Sequence, residues 1–374
     1  MKRIQGKRPN QIPDSILNNP VLAEKKKQLP GNYNFELEKT LWRIEELGAT
    51  RIGLQFPEGL QMFACILTDI LKSLSSVQEC IILADIVFGA CCVEDLTSSA
   101  LNLDLLIHYG HSCLIPINET CMKTLYVFVD IQINIDNLVE TLIHNFPDPL
   151  SAVALVSTVQ FVEGIYKAKQ VLIDKGYTHF NIPQAKPRTT GELLGCTSPM
   201  IREKIVVSVS DGRFHLEAAM IQNPTHSFYR FDPYLNKIFK EEFDLNSMKT
   251  RRLVSILKTK ESNYIGLIMG TLGRQGSVHI LKKLQEICKE AGKRVSVFLM
   301  SDVCQEAVDK YPEVEAWVEV ACPRLAMDWG CEFSKPMLSP YECFVALKDL
   351  PLDYPMDNYM YNGGPWSVYT AKGK

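Results

Sequence analysis

The chain has 374 residues, 46% hydrophobic and 22% charged, with a formal net charge of −3. That length suits two or three domains with packed cores, and the near-neutral balance excludes a global basic field for nucleic acid or an anionic membrane. No stretch reaches the roughly 18 consecutive apolar residues of a membrane span, and no apolar run follows the basic start, so the expectation is a cytoplasmic protein without a secretory leader.

Residues 1–34 read as a basic, proline-rich extension. Lys2, Arg3, Lys7, Arg8, Lys25, Lys26 and Lys27 outweigh Asp14 and Glu24, and Pro9, Pro13, Pro20 and Pro30 forbid a long helix. The expectation is a flexible or partner-wrapping arm. An α/β domain is expected over 35–149. It opens with a helix near 35–47, where Leu37, Leu41, Ile44 and Leu47 recur at helical spacing before Gly48. A strand at 51–56, the turn Pro57-Glu58-Gly59 and a helix near 60–73 make a βα unit, and strand-like runs follow at 80–86, 103–108 and 124–129. The same opening recurs at 152–156 before a helix near 162–175, and at 264–269 before a helix near 278–291. Further strands are expected at 206–209 and 294–299. A second α/β domain is therefore expected over 150–255, a third over 256–349, and a tail over 350–374. Strands alternating with helices imply parallel sheets covered on both faces.

Twelve cysteines in a reducing compartment do not read as a disulfide framework. Cys65, Cys80 and Cys288 sit in helix- or strand-like patterns and are expected to be buried, inert thiols. Three others each follow a strand-like run in a different third of the chain: Cys91, Cys196 and Cys322, 105 and 126 residues apart. Loops after strands are where open α/β sheets bind ligands. Three thiolates are too few for a closed four-ligand zinc site but suit a [4Fe-4S] cluster with one open iron. Spacing by itself equally allows three unrelated buried thiols.

Several other residues admit both a functional and a structural reading. Gly270, Gly273 and Gly276 form GxxGxxG between a strand and a helix. With Arg274 as a bidentate carboxylate partner, that loop could hold part of a cofactor or be a plain tight turn. Glu58 could orient a ligand or favour the following helix start. Asp211, Arg213 and His215 could line a cavity or form a structural ion pair. His108, His111 and Cys113 lack a fourth zinc ligand in range and read as pocket-lining or structural. Cys331 and Cys343 read as bystanders, and Asp328 and Trp329 as packing for the segment that fixes Cys322.

The contexts of the three cysteines carry a resemblance. Gly89-Ala90-Cys91-Cys92-Val93-Glu94-Asp95, Gly191-Glu192-Leu193-Leu194-Gly195-Cys196, and the run from Ala321-Cys322-Pro323-Arg324 to Asp328-Trp329-Gly330 resemble the cluster motifs of the diphthamide synthase family. So do His108-Tyr109-Gly110-His111-Ser112-Cys113, Ser210-Asp211-Gly212-Arg213-Phe214-His215, and the glycine loop from Gly270 to Gly276. In the tail, Tyr354-Pro355-Met356-Asp357 and Gly363-Gly364-Pro365-Trp366 match as well. The likeness covers nearly the whole chain after residue 35 and is to members that catalyse the first step.

The resemblance implies three Rossmann-like parallel-sheet domains in a pseudo-threefold arrangement around a central [4Fe-4S] cluster. It implies Cys91, rather than Cys92, with Cys196 and Cys322 as ligands, inside an apolar shell that includes Phe88, Leu194 and Val320. It implies S-adenosylmethionine as co-substrate, with Gly270, Gly273, Arg274, Gly276, Asp211 and Glu58 as candidate contacts. The implied reaction is radical transfer of a 3-amino-3-carboxypropyl group to C2 of a histidine in translation elongation factor 2, releasing 5′-methylthioadenosine. The implied partners are a paralogous diphthamide synthase subunit in a heterodimer and a reducing electron-donor protein, with no nucleic acid or membrane. Two readings stay beside it: an accessory, non-catalytic subunit, and a [4Fe-4S] dehydratase similar to quinolinate synthase, whose cysteine contexts differ.

Overall fold

The computed structural model describes residues 12–85 and 87–369. They form two compact units, one ending at Gln132 and the other beginning at Ile133. In the first unit, α1 (Leu37–Leu47) leads to β1 (Arg51–Gln55), α2 (Ala64–Leu74), β2 (Glu79–Leu83), β3 (Leu105–Tyr109) and β4 (Thr124–Val127). The strands make a parallel sheet in the order β2-β1-β3-β4. Helical spacing brings Leu41 and Ile44 of α1 and Leu67 and Leu71 of α2 into one core with Ile52, Leu54 and Ile107. Gly48 ends α1 at φ 60°, a left-handed conformation that costs glycine little.

The amino-terminal extension is not an arm over its described part. Asp14–Leu17 and Pro20–Lys26 are short helices, and Ile16, Leu22 and Leu29 are buried in the first unit's core. Apolar residues spaced among the charges outweigh the disordering effect of prolines, and Pro20 serves as the first residue of its helix. Tyr33–Asn34 then pairs with Asp130–Ile131. Lys2, Arg3, Lys7 and Arg8 lie outside the described residues, as does Ile86 of the strand expected at 80–86.

The second unit holds two sheets. The first contains β5 (Val153–Ser157), β6 (Phe180–Asn181), β7 (Ile205–Val209), β8 (Ser227–Asp232) and β9 (Lys237–Glu241) in the order β9-β8-β7-β5-β6. It is parallel except for the antiparallel pair β8 and β9. The other contains β10 (Tyr264–Gly270), β11 (Arg294–Met300), β12 (Ala316–Val320) and β13 (Met337–Leu338), parallel throughout, in the order β11-β10-β12-β13. In each of the three larger sheets, the first strand in sequence sits between the second and the third. The connections out of the first and the third strands then run in opposite directions, and such a switch between neighbouring strands is where open α/β sheets form a ligand crevice.

The helices of this unit are α3 (Ile135–Asn145), α4 (Val162–Asp174), α5 (Phe214–Gln222), α6 (Leu245–Glu261), α7 (Val278–Glu290), α8 (Pro323–Trp329) and α9 (Pro340–Lys348). Helix α3 packs on α4, within the second unit, and residue 255 lies inside α6, which packs on α9. A cluster of Ala218, Ile221, Met248, Met327, Tyr341, Tyr354 and Met356 joins α5, α6, α8, α9 and the tail. Beneath it, buried Arg252 donates from Nε and Nη2 to the two carboxylate oxygens of Glu342 at 2.7 and 2.9 Å. The hydroxyl of Tyr354 donates to the same carboxylate at 2.6 Å. Among the described residues no helix is long and apolar enough to cross a membrane.

Candidate metal centre

Strand β12 is buried at every residue, and the chain leaves it through Ala321 and Cys322 into α8. Cys322 occupies the N-cap position, and Pro323 starts the helix, where its missing N–H costs nothing. Glu319 of β12 ties the helix back, its carboxylate oxygen accepting from the amide of Ala326 at 3.4 Å. Burial pushes that carboxyl well above the ordinary carboxylate range.

Cys196 lies in a turn closed by the bridge between Leu194 and Thr197, rather than just after a strand. Its neighbour Gly195 has the ring of Phe214 directly against it: a Cβ there would fall 2.1 Å from the ring. The guanidinium of Arg324 lies over the same ring, 4.3 Å from its centroid. Arg324 is two residues beyond Cys322, yet its Nη1 donates to the carbonyl of Gly195 at 3.0 Å and of Phe214 at 3.1 Å. Its Nη2 meets Glu217 at 2.7 Å, and its Nε meets Asp328 at 2.9 Å. One buried arginine therefore ties the Cys322 segment to the Cys196 turn through Gly195 and to α5 through Phe214 and Glu217, while Asp328 of its own helix orients it. A cavity of about 30 Å³ there is lined by Cys196, Pro323, Met327, Tyr354 and Trp366.

The Cys196 sulfur suits a metal-bound thiolate. Burial raises its pKa, but the Thr197 hydroxyl at 3.7 Å and the Asn358 amide at 3.9 Å oppose that, and the charges of Arg324 and Arg188 add to them. A coordinated thiolate carries no proton and benefits from those donors.

In the first unit, Cys91 is half-buried in the single turn Ala90–Cys92, whereas Cys92 is fully buried. Gln55, at the end of β1, anchors this loop. Its Nε2 donates to the Cys92 carbonyl at 2.8 Å, and its Oε1 accepts from the Glu94 amide at 3.2 Å. The same oxygen is 2.8 Å from His108 Nδ1, which must carry the proton because a carbonyl oxygen only accepts. His108 Nε2 is then left to accept from His111 Nδ1 at 3.0 Å. His108 is thus an anchor for the Cys91 loop.

Within each unit by itself, no three His, Cys, Asp or Glu side chains among the described residues already gather as a metal-holding group. The glycine loop does come beside a candidate ligand: a Cβ on Gly270 would fall 2.7 Å from that of Ala321, and one on Gly276 would fall 2.3 Å from the Gly270 carbonyl. Gly273 has φ 54°, and Arg274 is half-buried on the same loop. Asp211 is exposed on the loop before α5, and Glu58, in the first unit, is exposed in the first turn of Glu58–Gln61. Arg213 is held by Glu217 and Glu241 at 2.8 and 3.2 Å.

Further expectations fail. Cys65 is exposed, because it falls on the outer face of α2, and Cys80 is half-buried, whereas Cys288 is buried as expected. Trp329, 65% exposed at the end of α8, does not pack the Cys322 segment. Asp328 is also exposed, and holds Arg324 rather than packing. Phe88 is 66% exposed instead of forming part of an apolar shell, while Val320 is buried. The sequence reading assigned no role to Arg324, Phe214, Gln55 or Asn358. Only Arg324 carried a signal, its place two residues after Cys322.

Two predictions arise from this geometry. Gly195→Ala would drive the Phe214 ring off the turn, so a loss of about 1–3 kcal/mol is expected in urea unfolding. The second concerns pH. Burial pushes the His108 imidazole well below 6.5 with help from His111, and burial with Arg324 pushes His215 to about 4. The unfolded chain binds protons at these residues near pH 6.5, before the folded chain does. The contribution of each group is therefore full above pH 6.5 and falls below it, by about 1.4 kcal/mol per pH unit. Between pH 7.5 and 5.5 the urea midpoint of wild type should fall relative to that of His215→Gln, which lacks this contribution.

The chain is similar to curated proteins along most of its length. A family model described as "Putative diphthamide synthesis protein" matches residues 56–358. The 2-(3-amino-3-carboxypropyl)histidine synthase subunit 1 of Bos taurus is 46% identical, over 99% of this chain and 85% of the relative. The Homo sapiens protein of the same name is 46% identical, over 97% and 84%. Two crystal structures of Dph2 from Pyrococcus horikoshii share the fold with TM-scores of 0.73 and 0.74, at 23% and 24% identity. They cover 85% and 89% of this chain and 92% and 95% of their own, and the second was solved with a 4Fe-4S cluster. On the matched motifs and the near-full-length identity, the chain belongs to the diphthamide synthesis protein family.

Proposed function

We propose that this chain transfers the 3-amino-3-carboxypropyl group of S-adenosylmethionine to C2 of a histidine imidazole in translation elongation factor 2, the first step of diphthamide formation. The observation that carries the reading is the pinning of the Cys196 turn to the Cys322 segment by Arg324, in a chain whose relatives are named for that product. Cys91, Cys196 and Cys322 would hold one [4Fe-4S] cluster, which when bound supplies the electron that splits the sulfur–aminocarboxypropyl bond and leaves one iron open to the substrate.

The chain's own residues supply geometry. Arg324 fixes two of the ligand loops, and Gln55 fixes the third. The loop from Gly270 to Gly276 brings bare backbone close to Ala321, where backbone N–H groups can meet a polar ligand. Arg274 on that loop is suited to the carboxylate of S-adenosylmethionine, with Asp211 and Glu58 as further contacts. The proposal extends to a cytoplasmic heterodimer with a paralogous subunit and to an electron-donor protein.

The test is an anaerobic incubation of iron-loaded protein with reductant, S-adenosylmethionine and elongation factor 2. Formation of 5′-methylthioadenosine together with an added aminocarboxypropyl mass on one histidine is expected. Iron-loaded protein that releases 5′-deoxyadenosine, or that leaves the factor unmodified when its partner subunit is also present, would refute it.

A further inference from the structure

The tail forms a strap over the Cys196 turn. Met356 accepts from the Ser198 amide at 2.9 Å, and Tyr359 donates to the Thr197 hydroxyl at 3.0 Å. Thr197 bridges to Asp357, and the Asn358 amide N–H donates to the Cys196 carbonyl at 3.3 Å. The strap is itself braced. The carboxylate of Asp357 accepts from the Gly364 amide at 2.9 Å and from the Trp366 indole at 3.0 Å, and the Asn358 carbonyl accepts from Val368 at 2.8 Å. Held in this way by its main chain, Asn358 places its side-chain Nδ2 3.9 Å from the sulfur of Cys196.

We propose that Asn358 is a positioning residue that sets the electron density on the Cys196 sulfur. The inference rests on the reading of Cys196 as a cluster ligand. An amide nitrogen only donates, so the sulfur is the acceptor, and a metal-bound thiolate is a better acceptor than a thiol. Hydrogen bonds to ligand sulfurs stabilise the reduced, more negative state of a cluster and so raise its reduction potential. The strap thereby couples the fold of the tail to the ease with which the centre accepts an electron. Arg324 cannot substitute for this contact, because its donors are already directed to Gly195, Phe214, Glu217 and Asp328.

The test compares wild type with Asn358→Leu and Asn358→Asp. In an EPR-monitored redox titration of iron-loaded protein, the midpoint potential is expected to fall in both variants. Asn358→Asp should fall further, because a carboxylate then faces the sulfur, while iron per chain stays at the wild-type value. A second measurement needs no iron: cluster-free protein is labelled with isotope-coded iodoacetamide at fixed pH and the Cys196 peptide is read by mass spectrometry. Loss of the donor should slow labelling of Cys196 several-fold, whereas simple loosening of the tail would accelerate it. An unchanged midpoint potential, or faster labelling in Asn358→Leu, overturns the proposal. If Asn358→Leu loses its fold, the near-isosteric Asn358→Asp decides by the same two readings. Wild type that takes up no iron defeats the cluster reading, while the labelling rates still decide the role of Asn358.

Discussion

Cys196→Ser and Cys322→Ser are each expected to lose bound iron and to reduce release of 5′-methylthioadenosine to background. Serine is close to cysteine in size and shape and remains polar. Its hydroxyl, however, stays protonated at neutral pH and is a poor ligand for iron–sulfur centres, which select soft thiolates. The folds of both variants should survive, because neither sulfur fills a core position. The first unit offers a sharper contrast. Cys91→Ser should lose iron with little change in stability, whereas Cys92→Ser should keep iron but lose stability, since it places a hydroxyl in a fully buried site. Cys65→Ser, on the exposed face of α2, should change neither property. Iron and sulfide analysis with a urea unfolding curve separates these outcomes. Full iron content in Cys196→Ser would remove it from the ligand set.

The largest effect on stability is expected from Glu342→Gln. Arg252 and Glu342 are buried together at 2.7 and 2.9 Å. Burial works against the charge on Arg252, but the Glu342 carboxylate overcomes it and holds the guanidinium above its ordinary range. Glutamine preserves the shape and leaves the cation without a counter-charge, and removal of one partner from a buried pair costs about 3–5 kcal/mol. Glu342 also accepts from the Ser339 amide at 2.8 Å in a capping box, so the start of α9 loosens as well. The double variant Arg252→Met with Glu342→Leu should recover much of the loss, because the charge is then absent from both sides. Differential scanning calorimetry of the two singles and the double would show it. A single variant as stable as wild type would contradict the pair's role.

The sheets were legible in the sequence where strands are buried on both faces. Val153–Ser157 and Tyr264–Gly270 are continuous apolar runs because helices cover both sides, and their likeness marked the repeats. The pair β8 and β9 was not legible: Lys237–Glu241 is an edge strand, largely exposed, and its charged residues carry no apolar strand pattern. The amino-terminal extension misled because its prolines and lysines dominate composition, while three well-placed apolar residues decide its packing. The cysteines themselves were visible through their motifs. The groups that hold them were not, since Arg324 meets Gly195 across 129 residues and Asn358 meets Cys196 across 162. Such contacts arise from topology, and periodicity carries no trace of them.

The most direct test of the account is iron and sulfide content, with low-temperature EPR, on anaerobically purified protein before and after dithionite. Close to four irons and four sulfides per chain, with a reduced-cluster signal that changes when S-adenosylmethionine is added, are predicted for a [4Fe-4S] centre with one open iron. A well-folded chain that neither retains nor takes up iron on anaerobic reconstitution would contradict it.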